Sequence, residues 1–402
     1  IKVEGNWTSS GNGFDPTGGT VEFSGSVAQT ISLAAGNNFY DLKINNSNAS
    51  DKVSAQGSAL VVSNHLNIVD GIFESASDYH DVTIASAGTL ELTGDITVSG
   101  DWTNNIHPSS FLPGTYLVTF DGTTAQSIFG YNQFYDLKIN NSNNDISLFP
   151  SAWGEGIVVV NHLYLIQGNI NLNSNILFLS DAGTPSQSTL SNTSNSSYTY
   201  NGTVLHIAYP NPFTYPCGDG TNYRPITLLS NGSTITVSYL FANQNQSSLN
   251  SSLSSIETYG WHIQGYYGWD GGNAAANITI PFDATYGITD FNNLTIAMFD
   301  GTEWKELPST VTGTAASGSI TTNSSVNFGP ENNPSSANIY FALGYKSTIN
   351  ADFSADATSV CQGTTVTFTD ASTGTPTSWS WDFGDGTTST LQNPTHTYST
   401  AG

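Results

Sequence analysis

Basic residues are almost missing from this chain: its 402 residues carry seven Lys plus Arg against 31 Asp plus Glu, a net charge of −24, and Arg224 is the sole arginine. A phosphate-rich partner needs several basic groups to neutralise it, so nucleic acids and anionic membrane surfaces are excluded as ligands. Cysteine is nearly missing too. Cys217 and Cys361 stand in regions of different character, so both are expected to be lone thiols, and they leave the redox compartment open. No apolar run approaches the ~18 residues of a membrane-spanning helix. The longest are pieces such as Ile157-Val158-Val159-Val160, so no membrane insertion is expected of this segment. Charged residues make up 9% of the chain, against roughly 25% in an average soluble protein. Hydroxyls and amides must therefore carry solubility.

What the chain does have is an internal duplication. Phe39-Tyr40-Asp41-Leu42-Lys43-Ile44-Asn45-Asn46-Ser47-Asn48 returns letter for letter as residues 134–143. The landmarks around it recur at the same offset: Gly5-Asn6-Trp7-Thr8 as Gly100-Asp101-Trp102-Thr103, Ala28-Gln29 as Ala125-Gln126, and Asn64-His65-Leu66 as Asn161-His162-Leu163. A fixed period marks stacked supersecondary units that cannot bury their apolar faces alone. Inside each unit, short β-branched or aromatic runs such as Val21-Glu22-Phe23, Val82-Thr83-Ile84 and Val118-Thr119-Phe120 recur between Gly, Asn, Asp and Ser clusters. Helix-period patterning is absent, and the spacing predicts the rungs of a β-solenoid, five to a unit; a meandering sandwich is the competing reading. The two copies are expected to superpose by translation along the solenoid axis. The Asn-rich tails 45–48 and 140–143 are expected at corners, where Asn tolerates left-handed backbone and can bond its stacked neighbour.

The period breaks after Leu177-Phe178-Leu179, and the Pro-rich stretch Pro210-Asn211-Pro212-Phe213-Thr214-Tyr215-Pro216 follows. The organisation expected is a solenoid over 1–208 (units about 1–97 and 98–195), a β-sandwich over 209–346 with longer strands such as Leu294-Thr295-Ile296-Ala297-Met298-Phe299, and a last domain over 347–402. The chain starts at Ile1-Lys2-Val3-Glu4-Gly5, which aligns with the middle of a repeat just before Trp102, so it is expected to be part of a longer polypeptide.

At the C-terminus, Trp381-Asp382-Phe383-Gly384-Asp385-Gly386 followed by Asn393-Pro394-Thr395-His396-Thr397-Tyr398 resembles the signature of the PKD domain. That resemblance implies an immunoglobulin-like sandwich of extracellular proteins, whose last strands should follow Tyr398. Across 1–345 the succession Gly-Asp-Trp-Thr, Val-x-Phe-x-Gly, Ala-Gln-x-Ile and Phe-Tyr-Asp-Leu-x-Ile-Asn-Asn-Ser is similar to repeats of giant Bacteroidetes surface proteins, in which a turn like residues 216–225 also follows the solenoid. The resemblance implies a secreted, cell-surface protein of the class that includes adhesins of gliding bacteria exported by the type IX pathway.

Candidate chemistry is sparse. Solenoid lyases and hydrolases need a clustered base or a carboxylate pair facing one groove. Lys2, Lys43, Lys52 and Lys138 are the only basic residues of the solenoid, Asp-Asp pairs are absent, and Lys43 and Lys138 are one repeat position. No catalysis is expected. His65 and His162 are equivalent residues expected about five rungs apart, roughly 24 Å at the spacing of stacked strands, too far to share a metal. His80, His107, His206, His262 and His396 show no ligand spacing. Asp382 and Asp385 are the candidate Ca²⁺ ligands, with turn chemistry, including a type I′ hairpin at Asp385-Gly386, as the alternative. Asp219 and Arg224 are expected to pair across their turn. Trp261, Tyr266, Tyr267 and Trp269 are candidates to stack on sugar rings, with a strand carrying a buried Trp261 as the alternative; Trp379 and Trp381 read as core residues. The function expected is a stiff, non-catalytic stalk or fibre of a surface adhesin, with surface polysaccharide or the substratum and the chain's other domains as partners. A non-catalytic carbohydrate-binding portion of a secreted polysaccharide-degrading enzyme is the alternative.

Overall fold

The computed structural model describes the chain except residues 12–13, 15–16, 49–50, 57–59, 143–144, 150–155, 180–188, 193–196, 208–211, 231–233, 242–247, 258, 266–274, 328–338, 375 and 401–402. It is all-β, with only short 3-10 turns among the described residues. Two compact units divide it: Ile1–Leu240 with His262–Ile278 and Val326–Gly329, and Phe241–Trp261 with Thr279–Ser325 and Pro330–Gly402.

The first unit holds a parallel β-solenoid of about eight turns. Its three faces are visible in the long strands Val61–Ser75 and Asp78–Leu92, whose pairing shifts register after Val62 and again after Ile68. Inward residues stack in columns. On the first face Phe39, Val62, Tyr79, Val98, Phe120 and Ile139 pair in succession. On the second the series is Val3, Phe23, Ile44, Ile68, Ile84 and Asn104. On the third it is Gln29, Val53, Phe73, Leu90 and Phe111. Each strand reads hydrophobic-in, polar-out, and a single turn has no second layer to cover its apolar side. Stacking supplies that cover: Phe23, Ile44, Ile68 and Ile84 are all fully buried.

The duplicated copies keep their local geometry closely. Asp41 faces His65 and Leu42 faces Leu66, as Asp136 faces His162 and Leu137 faces Leu163, and both strands shift register at the same two places. Their relation is a screw, however, and not the simple translation expected. Val3 belongs to the second face, but its counterpart Val98 belongs to the first. Likewise Trp7 pairs Ile31 on the third face, whereas Trp102 pairs Val82 on the second. Five pairings carry the second-face column from Val3 to Asn104, beyond Val98, so a unit falls one face short of five full turns. Equivalent surface residues therefore point to adjacent sides of the prism.

The corner tails bond the stacked neighbour as expected, but without left-handed backbone at their described Asn residues. Among the described non-glycine residues only Asn173, Ser174 and Asn201 have positive φ. Asn46 and Asn141 are instead buried and donate across the turn to Val27 O and Thr124 O, at 2.8 and 2.6 Å. Left-handed backbone falls to Asn173, Ser174 and Asn201 at corners near the end of the ladder, and beside Asn46 to glycine: Gly71 has φ +80°, and a Cβ there would sit 2.7 Å from Asn46 O. Gly71→Ala is expected to cost about 1–3 kcal/mol in urea unfolding, and more than Gly36→Ala, where φ is +85° but nothing lies within 4 Å.

The parallel ladder closes at the strand Thr203–Ile207, which pairs Ile176–Leu179 in parallel on one edge and Thr234–Phe241 antiparallel on the other. Thr199 N and Gly218 N bond across to Pro216 O and Thr199 O, covering the neighbouring edge. Tyr215 is fully buried and donates to Ile235 O, and His206 stacks on Phe213 at 3.7 Å. The Asp219–Arg224 pair forms as expected, at 3.4 Å with Arg224 buried. In the second unit Leu294–Phe299 pairs antiparallel with Trp304–Leu307 and Ile339–Lys346, and Ser309–Thr314 forms a hairpin with Ser317–Thr322. Trp304 sits at the centre of its core, with Leu253, Ala297, Phe299 and Ala342.

Candidate functional site

On the solenoid surface the longest polar rows start from the duplicated strands Phe39–Asn45 and Asn132–Asn140. Asn64 Nδ2 donates to Asp41 Oδ1 at 2.7 Å, and Asn161 Nδ2 to Asp136 Oδ1 at the same distance. His65 Nε2 meets Thr83 Oγ1 at 2.8 Å, while His162 stacks on Tyr164 at 4.0 Å. The two imidazoles thus lie on adjacent faces, each with its own partners. Lys43 pairs with Glu22 at 3.4 Å, and Asn45 donates to the same carboxylate at 2.8 Å. The hydrogen bond from Asn45 leads in holding the Glu22 carboxyl below its ordinary range; burial opposes it, and Lys43 adds to the lowering. On the third face Lys52 bridges Glu74 and Glu91 of successive turns at 2.6 and 2.9 Å. These are half-buried surface pairs that fix side-chain rows and add little stability each.

A second polar feature lies inside. Gln29 Nε2 donates to Val3 O and Gly5 O, while its Oε1 accepts from Gly25 N and Asn46 Nδ2. Gln126 repeats this with Val98 O, Gly100 O, Gly122 N and Asn141 Nδ2, at 2.7 to 3.0 Å. One carboxamide thereby satisfies four buried groups where the backbone leaves the ladder to turn a corner. The recurrence of Ala-Gln at the repeat offset was the signal, but a polar residue reads by default as exposed.

At the C-terminus, Phe353–Ala355, Thr365–Asp370 and Thr395–Thr397 form an antiparallel sheet, and Trp381–Asp382 pairs Thr388–Ser389. Asp382 Oδ1 accepts from Gly384 N at 2.9 Å. Asp385 accepts from Thr387 N and Oγ1 and faces His396 Nε2 at 2.8 Å. The imidazole itself is stacked on Phe383 at 4.4 Å. Positive φ falls on Gly384 and Gly386, either side of Asp385, so the turn is not the type I′ form, which needs it at two successive central residues. Trp379 and Trp381 are half-buried and not the enclosed core residues expected; they send their indole N–H to Asp370 Oδ2 and Leu391 O, Phe353 and Phe368 pack against Trp381, and Phe368 also meets Phe383.

Residues 350–402 match the family model of the PKD domain. No curated protein and no solved structure matches the chain. In the PKD module the two candidate calcium ligands are thus engaged in their own turn, and no group of three or more His, Cys, Asp or Glu suited to a metal occurs among the described residues. The hydrogen bonds from Thr387 and His396 hold the Asp385 carboxyl down at about 2. A carboxylate with a depressed folded pKa adds stability above its unfolded value, near 3.9, and loses it as pH falls through the folded one. The stability gap between the chain and its Asp385→Asn variant is therefore expected to be constant above pH ~5 and to shrink between pH ~4 and ~2, read by tryptophan fluorescence of the module in urea.

The aromatic candidates separate. Trp261 is 1% exposed on the strand Tyr259–Gly265, with Ile263 buried beside it, so its ring is core and not a sugar platform; Tyr266, Tyr267 and Trp269 lie outside the described residues. Both thiols are free, Cys217 buried and Cys361 exposed, and burial pushes the Cys217 thiol far above its ordinary value. No helix among the described residues is long and apolar enough to cross a membrane.

Proposed function

We propose that this chain is a structural, adhesive segment of a large secreted cell-surface protein, serving as a stiff stalk or fibre that holds binding surfaces away from the cell. The observation that carries it is the parallel ladder of the solenoid, continuous from turn to turn on two faces, interrupted on the third between Phe111–Leu112 and Asn132–Asn140, and closed at its last rung by an antiparallel strand. Each turn is bonded to its neighbours along two or three faces, so bending or shearing the stack strains many backbone hydrogen bonds at once. The PKD module supports an extracellular setting, since such domains are typical of extracellular proteins. The module and the repeats are in keeping with surface adhesins of the gliding, type IX-secreted kind. We read the segment as non-catalytic, because the solenoid's few basic groups are spread over separate faces and tied into ion pairs or repeat rows.

Single-molecule pulling between the chain ends tests this reading. A stalk should resist extension and then lengthen in discrete steps as turns peel away. Smooth lengthening at the low force of an unstructured chain would contradict it. The purified chain should also release no reducing ends or unsaturated products from pectin, alginate or chitin.

A further inference from the structure

The two copies have diverged in a selective way. In the strand before the identical stretch, inward Val21 and Phe23 return as Val118 and Phe120, but outward Thr20 and Glu22 have become Leu117 and Thr119. The next strand repeats the pattern: Gln29 and Ile31 persist, while outward Ser32 has become Phe129. Packing explains what was kept there. In Phe39–Asn45, however, the outward residues Tyr40, Asp41, Lys43 and Asn45 persist as well, and so do Asn64 and His65 in the next turn. Internal partners account for Asp41 and Asn64, which bond each other in both copies. They do not account for Tyr40, Lys43 and Asn45. Glu22, which holds both Lys43 and Asn45, is replaced by Thr119 beneath Lys138, so among the described residues the direct ion pair has no counterpart and Lys138 feels only the nearby Asp121 carboxylate, yet the lysine and the asparagine remain.

We infer that the outward Tyr-Asp-Lys-Asn rows at residues 40–45 and 135–140 are two equivalent binding sites for a neutral, hydroxyl-rich polysaccharide. A carboxylate accepts from sugar hydroxyls, while an ammonium and a carboxamide donate to them; one vicinal diol can engage both kinds of group at once. Tyr40, 38% exposed at the corner where the pairing shifts register, offers a ring face to a pyranose. The charge of −24 disfavours a polyanion and leaves a neutral glycan unaffected. The screw sets the two sites on adjacent faces, so a polysaccharide wound obliquely around the solenoid can reach both. This rests on the adhesive part of the proposed function, whereas the pulling experiment tests the stalk independently.

The test uses the whole chain on immobilised mannan, dextran and polygalacturonate, with chelator present. Retention is expected on mannan or dextran and not on polygalacturonate. The double variant Lys43→Gln/Lys138→Gln should lose at least about tenfold in retention, and each single variant less, because two linked sites bind in concert. Tyr40→Ala/Tyr135→Ala should behave alike, and circular dichroism checks that the fold persists. Retention on none of the three, retention on polygalacturonate alone, or retention unchanged in both folded double variants would overturn the assignment.

Discussion

Replacing Trp102 by alanine is expected to lower stability by about 3–5 kcal/mol, the range for removing a large, fully buried aromatic side chain. Trp102 has no exposed surface, packs against Phe111, Phe120 and Phe134 with centroids 4.8 to 6.4 Å away, and donates its indole N–H to Asn132 Oδ1 at 2.8 Å. The counterpart Trp7 meets Phe14 and Phe39 in the same way, at 5.0 and 6.0 Å, but is half-buried, and its indole N–H has no partner among the described residues. Trp7→Ala should therefore cost only about 1–2 kcal/mol. Stacked turns behave as a chain of neighbours, so the loss at Trp102 should be local. Native-state hydrogen exchange should show it first at Val82 and Ile128, the residues paired directly to Trp102. Equal costs at Trp7 and Trp102 would mean that the two copies are equally enclosed, against the structure.

The second large effect concerns a residue that is not apolar. Gln126→Leu keeps roughly the volume of the side chain but strands Gly122 N–H and the Gly100 carbonyl, and takes one of two bonds from Asn141 Nδ2 and Val98 O, which keep Thr124 O and Asp121 N. Each buried unsatisfied group costs about 1–3 kcal/mol, and partial relaxation should bring the total to about 3–5 kcal/mol in urea unfolding. Gln29→Leu should follow the same pattern. Adding Asn141→Leu to Gln126→Leu should cost less than the sum of the two, because the pair shares a hydrogen bond. A near-neutral Gln126→Leu would show that the corner does not need its carboxamide.

These two residues also show what the sequence could and could not disclose. Strands such as Val21-Glu22-Phe23 and Val82-Thr83-Ile84 were legible because β-branched and aromatic residues alternate with polar ones at the pleat's period. The end of the ladder was legible from the Pro-rich break. The screw between copies was not, because it depends on how many residues each corner uses, and corner lengths leave no periodic mark. The corner bonds of Asn46 and Asn141 were legible in the Asn-rich tails, but their burial was not, and the recurrence of Gln29 as Gln126 did not set the two apart from exposed amides until the carbonyls around them were placed. Trp261 carried both of its readings equally well, since a Gly-rich aromatic stretch looks the same whether its indole faces sugar or core.

The arrangement of turns, on which stiffness and the placing of surface rows both depend, is open to one direct measurement. On a Cys361→Ser background, Thr103→Cys should form a disulfide with Thr83→Cys, since these two are outward Cα partners in neighbouring parallel strands of the second face. Adjacent strands lie about 4.8 Å apart, within the reach of a disulfide. With Glu91→Cys, on the third face, Thr103→Cys should not close. The Thr83 pair oxidising readily while the Glu91 pair stays reduced is the result predicted; the reverse, or neither pair closing in the folded protein, would contradict the stacked and rotated solenoid.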